Sequence, residues 1–226
     1  MRILLHARLK LRAGLTLCLL ALLLAPCLSG CAALGLIAQA IPQAQIPAKY
    51  KGLNDHTVAV MVWVDRGIRI DWPQIQLDAA NGIQSKLVSA IGKTPELSHT
   101  KFPLSAATVV RFQEEHLEWG ADSIEEIAPR LGVSRVIYVE IDGFQTRSDA
   151  AVELYRGSIT GTVRVLEVVN GKARVVYTEE DMRSVYPPHS PEEGVTSLGD
   201  FETYRKTVDE FTTHVASLFV AHPPEE

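Results

Sequence analysis

A short apolar run near the N-terminus is followed by a cysteine, and this arrangement indicates where the folded part of the chain can begin. Residues 15–28 are almost wholly apolar, and the only charged residues before them are basic: Arg2, Arg8, Lys10 and Arg12. A basic start, a short hydrophobic core and small residues at a cleavage point are typical of a secretory signal. The apolar run is shorter than the ~20 residues that cross a bilayer as a helix. The sequence therefore predicts a signal peptide over residues 1–30.

The residues at the cleavage point resemble the lipobox of bacterial lipoproteins. In that resemblance Leu28, Ser29 and Gly30 are the positions recognised by the signal peptidase, and Cys31 becomes the first mature residue. The resemblance implies that Cys31 carries a diacylglycerol thioether and an amide-linked acyl chain. Because each buried methylene contributes about 0.8 kcal/mol, several acyl chains hold a protein durably on a membrane. A signal cleaved without lipidation, or an uncleaved anchor helix, is the alternative.

Removal of the signal changes what the composition permits. Cys18 and Cys27 leave with it and Cys31 is consumed by lipid, so no thiol pair remains for a disulfide, a redox motif or a zinc cluster. The mature chain keeps 18 Lys and Arg against 27 Asp and Glu, a net charge near −9. So acidic a domain lacks the electrostatic footprint of nucleic-acid binding. It also lacks a polybasic run, so we expect the lipid rather than surface charge to make the membrane contact.

The residues after Cys31 read as a tether over 31–54. They contain Pro42 and Pro47, many Ala and Gln, and little charge. Such a composition is typical of a linker, although an interfacial helix over 32–41 is the alternative.

Hydrophobic periodicity predicts a single α/β domain over residues 55–222, followed by a frayed tail at 223–226. The strand at 57–64 is apolar on both faces, which indicates a sheet covered by helices. Further strands are predicted at 134–144, 154–169 and 173–180, with 96–103 as an ambiguous edge strand, and helices at 73–91, 105–116, 122–131 and 201–221. The fold class is therefore an α/β (α+β) sandwich: one mixed sheet of about four to five strands, helices packed on it, and a C-terminal helix.

Local signals refine three of these elements. Asn170 and Gly171 predict a tight antiparallel hairpin. Asp122 and Glu125 form a capping-box pattern before the third helix, and Pro129 should distort its last turn. Asp200 is a plausible cap of the closing helix.

The stretches IAPRLGVSRVIYVEI (127–141) and ITGTVRVLEVVNGKARVVY (159–177) resemble exported bacterial proteins in their element order. The curli-secretion channel lipoproteins and the amino-terminal domain of the Tol-system translocation protein are similar in outline over residues 57–220. The resemblance implies the same α/β fold. Channel lipoproteins carry membrane-crossing hairpins, but the best candidate insertion here, 142–157, is charged and too short for two strands of about 9–11 residues. We therefore expect no pore built from this chain alone.

Catalytic and metal-binding signatures do not emerge from the sequence. Residues 114–119 contain His116 and three glutamates, but no second histidine at zinc-binding spacing. Residues 157–161 lie in a strand pattern rather than at a nucleophile elbow, so Gly157 and Gly161 are expected to accommodate a close neighbour or a bulge. We expect no catalytic residue, no metal and no cofactor, although a site assembled from distant residues stays open.

The segment 186–200 is long for a connection in a compact domain. Its proline-rich start predicts a stiff, extended face for a partner, formed by Tyr186, Pro187, Pro188 and Pro191. A surface excursion without function is the alternative.

These features favour a lipid-anchored, non-enzymatic envelope lipoprotein that binds an envelope protein partner or self-associates. A periplasmic hydrolase or a small-ligand-binding lipoprotein is the alternative function. Ala32 follows the cysteine, whereas an acidic residue there is the usual signal for retention in the inner membrane. We therefore expect an outer-membrane anchor facing the periplasm, with the inner membrane and surface exposure left open.

Overall fold

One four-stranded sheet lies at the centre of the computed structural model, which describes residues 45–116, 123–148, 151 and 153–224. Its strands, in spatial and sequence order, are β1 (Val58–Val64), β2 (Arg135–Arg147), β3 (Tyr155–Val169) and β4 (Lys172–Tyr186). β1 is parallel to β2, and the remaining neighbours are antiparallel. The prediction of an α/β fold with one mixed sheet is confirmed.

Helices cover both faces of this sheet. In the described residues they are α1 (Arg66–Asp71), α2 (Ile75–Ala90), α3 (Ala106–Glu115), α4 (Ile124–Ile127) and α5 (Asp200–Ser217). α2 and α5 pack on one face, where Ile83 and Phe211 are fully buried, and α3 and α4 cover part of the other through Val109 and Ile127. Double coverage explains why nearly every side chain of β1 is buried, as its apolar sequence predicted. The predicted C-terminal helix is confirmed.

The two ends of the sheet differ in construction. At the turn end, β3 and β4 are joined by Asn170 and Gly171, and Arg135, Glu167 and Arg174 lie side by side in register. At the loop end, β2 passes into β3 and a long loop follows β4. Asn170 and Gly171 have φ of 52° and 71°, as a two-residue hairpin turn requires. The predicted hairpin is therefore confirmed.

β2 and β4 extend further towards the loop end than the sequence predicted, to Arg147 and Tyr186. The pairs Gly143–Thr160 and Arg147–Tyr155 continue the ladder through most of residues 142–157. Most of residues 142–157, for which no membrane-crossing hairpin was predicted, are therefore strand residues of the sheet. Polar residues obscured the strand pattern at the end of β2, where Thr146 and Arg147 donate to Asp200, which is far away in the sequence.

Two glycines of β3 allow close neighbours, as the sequence predicted. A Cβ at Gly157 would lie 1.7 Å from Thr207 Oγ1 on α5, and one at Gly161 would lie 2.2 Å from the Glu140 carbonyl oxygen. Any larger side chain would push the helix or the neighbouring strand away.

The helix at α4 is capped one residue later than the sequence pattern indicated. The Ser123 side chain accepts from the backbone of Glu126, whose carboxylate accepts from the Ser123 N–H at 3.0 Å. The pairing of Asp122 with Glu125 is therefore wrong, and Asp122 itself lies outside the described residues. The α-helix gives way to a 3₁₀ turn over Ala128–Leu131, so the predicted distortion at Pro129 is confirmed.

The end of the predicted tether packs against the domain. Residues from Gln45 onwards belong to one compact unit, and we call Gln45–Asn54 the strap. Ile46 pairs with His222, the Tyr50 N–H donates to the Leu218 carbonyl at 2.9 Å, and Leu53 is 1 % exposed. The tether predicted over 31–54 is therefore wrong at its C-terminal end, because these apolar side chains find a place in the core. Of the tail, residues 225–226 lie outside the described residues.

Two short segments also differ from the sequence prediction. Helix α1 was missed because it has six residues and contains Gly67; Asp65 caps it by accepting the Gly67 N–H at 2.7 Å. The ambiguous segment 96–103 holds a 3₁₀ turn, Pro95–Leu97, and a single bridge between Thr57 and Lys101. It adds no full strand to the sheet.

Candidate partner-binding surface

The residues predicted to guide lipidation, Leu28, Ser29, Gly30 and Cys31, lie outside the described residues. The candidate loop does lie within them, at the loop end between β4 and α5. Tyr186 and Pro187 are half-buried, and Pro188 and Pro191 are exposed. The structure therefore presents two of the four candidate residues fully to solvent.

The loop backbone forms two consecutive turns instead of an extended face. The Ser190 N–H donates to the Pro187 carbonyl at 3.2 Å, and the Gly194 N–H donates to the Pro191 carbonyl at 3.0 Å. Pro188 occupies the second position of the first turn, where its fixed φ is favourable. The expected polyproline-like face is therefore wrong, because turn hydrogen bonds that such a helix lacks satisfy this backbone.

The middle of the loop is attached to the first residue of β3. The Tyr155 N–H donates to the Val195 carbonyl at 2.8 Å, and the Val195 N–H donates back to the Tyr155 carbonyl at 3.0 Å. Gly194 has φ of 93°, and a Cβ there would lie 2.9 Å from the Tyr155 carbonyl oxygen. This contact therefore requires glycine on both conformational and steric grounds.

The end of the loop is attached through Asp200. The Thr146 hydroxyl and the Arg147 Nε donate to Asp200 Oδ1 at 2.9 and 3.0 Å, and a second Arg147 nitrogen pairs with Oδ2. The hydrogen bonds from Arg147, followed by that from Thr146, hold the pKa of the Asp200 carboxyl below its usual value, against the effect of burial. Gly199, not Asp200, occupies the N-cap position of α5. The predicted cap is wrong because this carboxylate bonds to β2.

An exposed aromatic side chain follows this attachment. Phe201 is 75 % exposed, whereas Tyr204, one turn later in α5, is buried and stacks on Trp72 with ring centroids 4.9 Å apart. Phe201 and Tyr204 line a groove of about 350 Å³ between α2 and α5, beside Asp78 and Val208. The Tyr204 hydroxyl donates to Asp78 Oδ2 at 2.6 Å. The groove therefore places the exposed ring of Phe201 beside the buried ring of Tyr204, which its stacking and its hydrogen bond hold in position.

Sequence reasoning missed Phe201 as a surface residue. The helical spacing of Phe201, Tyr204 and Val208 puts all three near the buried stripe, so periodicity alone assigns Phe201 to the core. Its exposure arises because it lies in the first turn of α5, beyond the edge of the packed helices. The adjacent proline-rich loop was the available signal.

The loop lies far from the strap. α5 has 18 residues, about 27 Å at 1.5 Å per residue. Its first residue contacts Arg147 at the loop end, while Leu218, directly after its last residue, contacts Tyr50 of the strap. The loop and the point where the described chain begins are thus separated by the length of a helix.

A second, polar cavity of about 520 Å³ lies towards the turn end. Asp55, His56, His99 and Lys101 are among its lining residues. His99 Nδ1 lies 3.3 Å from Asp55 Oδ1, but both side chains are more than 70 % exposed, at 71 % and 73 %. Burial, and then the charge of Arg135, lower the pKa of His56, so its imidazole is neutral at pH 7. This cavity is open to solvent, and its lining contains one lysine, Lys101, and one carboxylate, Asp55.

The described residues contain no group of three or more His, Cys, Asp or Glu placed to hold a metal ion. Within the same ranges, none of the helices combines the length and the apolar character that crossing a bilayer demands.

No protein-family model matches this chain, and no curated protein matches it. Several solved structures are similar to it. The PelC dodecamer from Paraburkholderia phytofirmans is 13 % identical, with a TM-score of 0.37 over 78 % of this chain and 96 % of that chain. Lipoprotein GNA1162 from Neisseria meningitidis is 11 % identical, with a TM-score of 0.40 over 71 % and 96 %.

The hypothetical protein CT253 from Chlamydia trachomatis is 14 % identical, with a TM-score of 0.36 over 71 % of this chain and 98 % of that chain. One of these similar structures is thus a lipoprotein. All three TM-scores are below 0.5, and likeness at this level is too distant to assign a function. The resemblance to the curli-secretion and Tol-system proteins stays a prediction.

Proposed function

We propose that this chain is a lipid-anchored, non-enzymatic lipoprotein of the bacterial cell envelope, whose folded domain binds a protein partner through its loop end. Acyl chains on Cys31 hold it on the membrane. The lipobox-like residues before that cysteine and the thiol-free remainder of the chain support this anchor. Ala32, which is not acidic, supports the outer membrane as the destination, with the domain facing the periplasm.

The observation that carries the partner-binding role is the fixed conformation of the loop. It is attached at Val195 and again at Asp200, and it lies one helix length from the strap. A loop that is already ordered loses little conformational entropy when a partner binds. A tether that enters near the opposite end of α5 leaves this surface accessible.

Phe201 is the expected energetic centre of the interface. An aromatic ring that is 75 % exposed buries a large apolar area when a partner supplies a pocket for it. Within the loop, the charged side chains besides Asp200 are Glu192 and Glu193. They favour a partner with basic residues around that pocket, since complementary charge speeds association and fixes the register.

Site-specific photo-crosslinking in cells that make the full chain tests this function. A photo-reactive residue at Pro188 or Phe201 is expected to give one discrete adduct. The same residue at Val88, which is 45 % exposed on α2, serves as the matched control. Equal adducts from all three positions, or none from the loop end, would contradict the assignment.

The open cavity at the turn end favours a second candidate, the binding of a small polar ligand. Lys101 and Asp55 offer one charge of each sign there. A ligand screen that finds a rise in Tm, lost in Lys101→Ala, would support this function. A wild-type protein that no compound stabilises would count against it.

A further inference from the structure

The β3–β4 turn carries three of the exposed large apolar side chains of the described residues. Val169 is 54 % exposed, Val175 is 37 % exposed and Val176 is 36 % exposed. Val169 directly precedes the two-residue turn Asn170–Gly171, whereas Val175 and Val176 lie four and five residues after Gly171 in β4. Val169 is therefore exposed at the tip of the hairpin, where another phase or molecule could cover it together with the two valines of β4.

Basic side chains lie near the turn on β2 and β4. Arg135 and Arg174 both pair with Glu167, at 2.8 and 2.5 Å, so one carboxylate serves two guanidinium groups. Lys172 follows the turn directly and is exposed. Arg174 itself is 76 % exposed. The exposed basic side chains beside Val169 are therefore Lys172 and Arg174, of which Arg174 is paired with Glu167.

Two further lysines belong to segments whose backbone contacts this end of the sheet. Lys51 precedes Gly52, whose carbonyl accepts from Arg135 Nε at 3.3 Å. The Lys101 carbonyl accepts from the Val58 N–H at 2.8 Å, at the start of β1 beside Arg135. The acidic groups at this end include Asp55 and Glu167, and α4, which carries Glu125 and Glu126, also contacts β4. These lysines do not form a polybasic run in the sequence, so their position at one end of the fold was not predicted.

The tether can bring this end to the membrane. Residues 32–44 separate Cys31 from the first described residue, and 13 extended residues span at most about 45 Å. The strap then crosses the sheet towards the turn end, from Tyr50 against Tyr177 to Gly52 against Arg135. The loop end lies on the other side of the molecule.

We propose that the turn end, meaning Val169–Val176 with Lys51 and Lys101, rests on the phosphate-bearing surface of the membrane that holds the anchor. The valines enter the boundary between headgroups and acyl chains, and Lys51, Lys101 and Lys172 face the phosphates. This inference rests on the proposed lipid anchor. It gives the domain one orientation, with the turn end towards lipid and the loop end towards the partner.

Fluorescent probes on the full, lipidated chain in phosphatidylglycerol-containing vesicles test the orientation. An environment-sensitive label is attached at Val169→Cys, and the matched control label at Ile70→Cys, a 71 % exposed position on α1. We expect a blue-shifted emission and several-fold stronger quenching by nitroxide-bearing lipids at position 169. The label at position 70 should stay in water.

Charge reversal sharpens the test. Lys172→Glu should reduce the quenching of the label at position 169, whereas Arg66→Glu, an exposed change beside β1 at the loop end, should not. Equal quenching of both labels, or none in protein that floats with the vesicles, would overturn this inference and leave the anchor standing. A label shielded at position 169 without vesicles, in proportion to protein concentration, would assign the surface to a second copy and also overturn it. Wild-type protein that does not float with vesicles would instead refute the anchor.

Discussion

The loop end and the turn end of the sheet are built from the same three strands, yet they present opposite surfaces. At the loop end, a long connection is attached at Val195 and Asp200 and leads to the exposed ring of Phe201. At the turn end, two residues close the hairpin, and small valines stand among basic side chains. A shaped, ordered surface suits one specific partner, whereas an exposed apolar tip with a lysine beside it suits a lipid surface.

The largest expected effect concerns the strands that connect the two ends. Gly161→Ala places a Cβ against the Glu140 carbonyl oxygen, and a backbone atom in a central strand pair cannot move aside as a side chain can. We expect a loss of about 3 kcal/mol or more in the free energy of unfolding, measured by urea denaturation. Gly199→Ala, which meets nothing within 4 Å, is the matched control and should change it little. Equal stability of the two variants would contradict the close approach of β2 and β3.

A second pair of glycines compares the two ends directly. Gly194→Ala at the loop end must adopt a left-handed φ and also crowd the Tyr155 carbonyl, so we expect a cost of about 2 kcal/mol. Gly171→Ala at the turn end has a similar φ but open space around its Cβ, so about 1 kcal/mol is expected. Thermal or urea unfolding of both variants measures the difference. A larger cost at Gly171 would show that the loop is not held against β3.

Partner binding should depend on the loop end alone. Phe201→Ala is expected to weaken the complex about 10-fold, or about 1.4 kcal/mol, because a buried aromatic anchor is lost. Its Tm should stay the same, since the ring is 75 % exposed in the free protein. Titration of the cross-linked partner, once purified, gives the affinity. Val175→Ala at the turn end should leave that affinity unchanged, and a comparable loss there would break the division between the ends.

Acid should weaken the ion pairs at both ends, and of these changes it should affect the global free energy of unfolding least. Arg147 lowers the pKa of Asp200, and Arg174, followed by Arg135, lowers that of Glu167. A carboxyl with a depressed pKa contributes stability above its ordinary pKa and loses it as the pH falls below about 4. We expect amide exchange to quicken at both ends in this range. Asp200→Asn should abolish the pH dependence at the loop end only, and a loop that exchanges identically in the variant would contradict the attachment.

Much of the fold follows from local patterns. The apolar run of β1, the period of α2 and the Asn170–Gly171 turn each point to one structure, and each is confirmed. Patterns fail where tertiary contacts decide. Polar residues hid the end of β2, because the partner of Thr146 and Arg147 is Asp200, more than 50 residues later in the chain.

In the candidate sites, too, local patterns were predictive and tertiary contacts were not predicted. The loop at 186–200 was visible from its length and prolines, but its two turns and its attachment to Tyr155 depend on a strand far away in sequence. The exposure of Phe201 was not predicted, because helical periodicity does not show where packing ends. The turn end was not predicted because the segments that carry Lys51, Lys101 and Lys172 reach the same end of the sheet only when it forms.

The anchor decides the whole account, and the mass of the N-terminal peptide of protein purified from membranes tests it directly. The account predicts a mature chain that begins at Cys31 and carries the added mass of a diacylglycerol and an amide-linked acyl chain. An N-terminus elsewhere, or an unmodified thiol at Cys31 in membrane-bound protein, would contradict it.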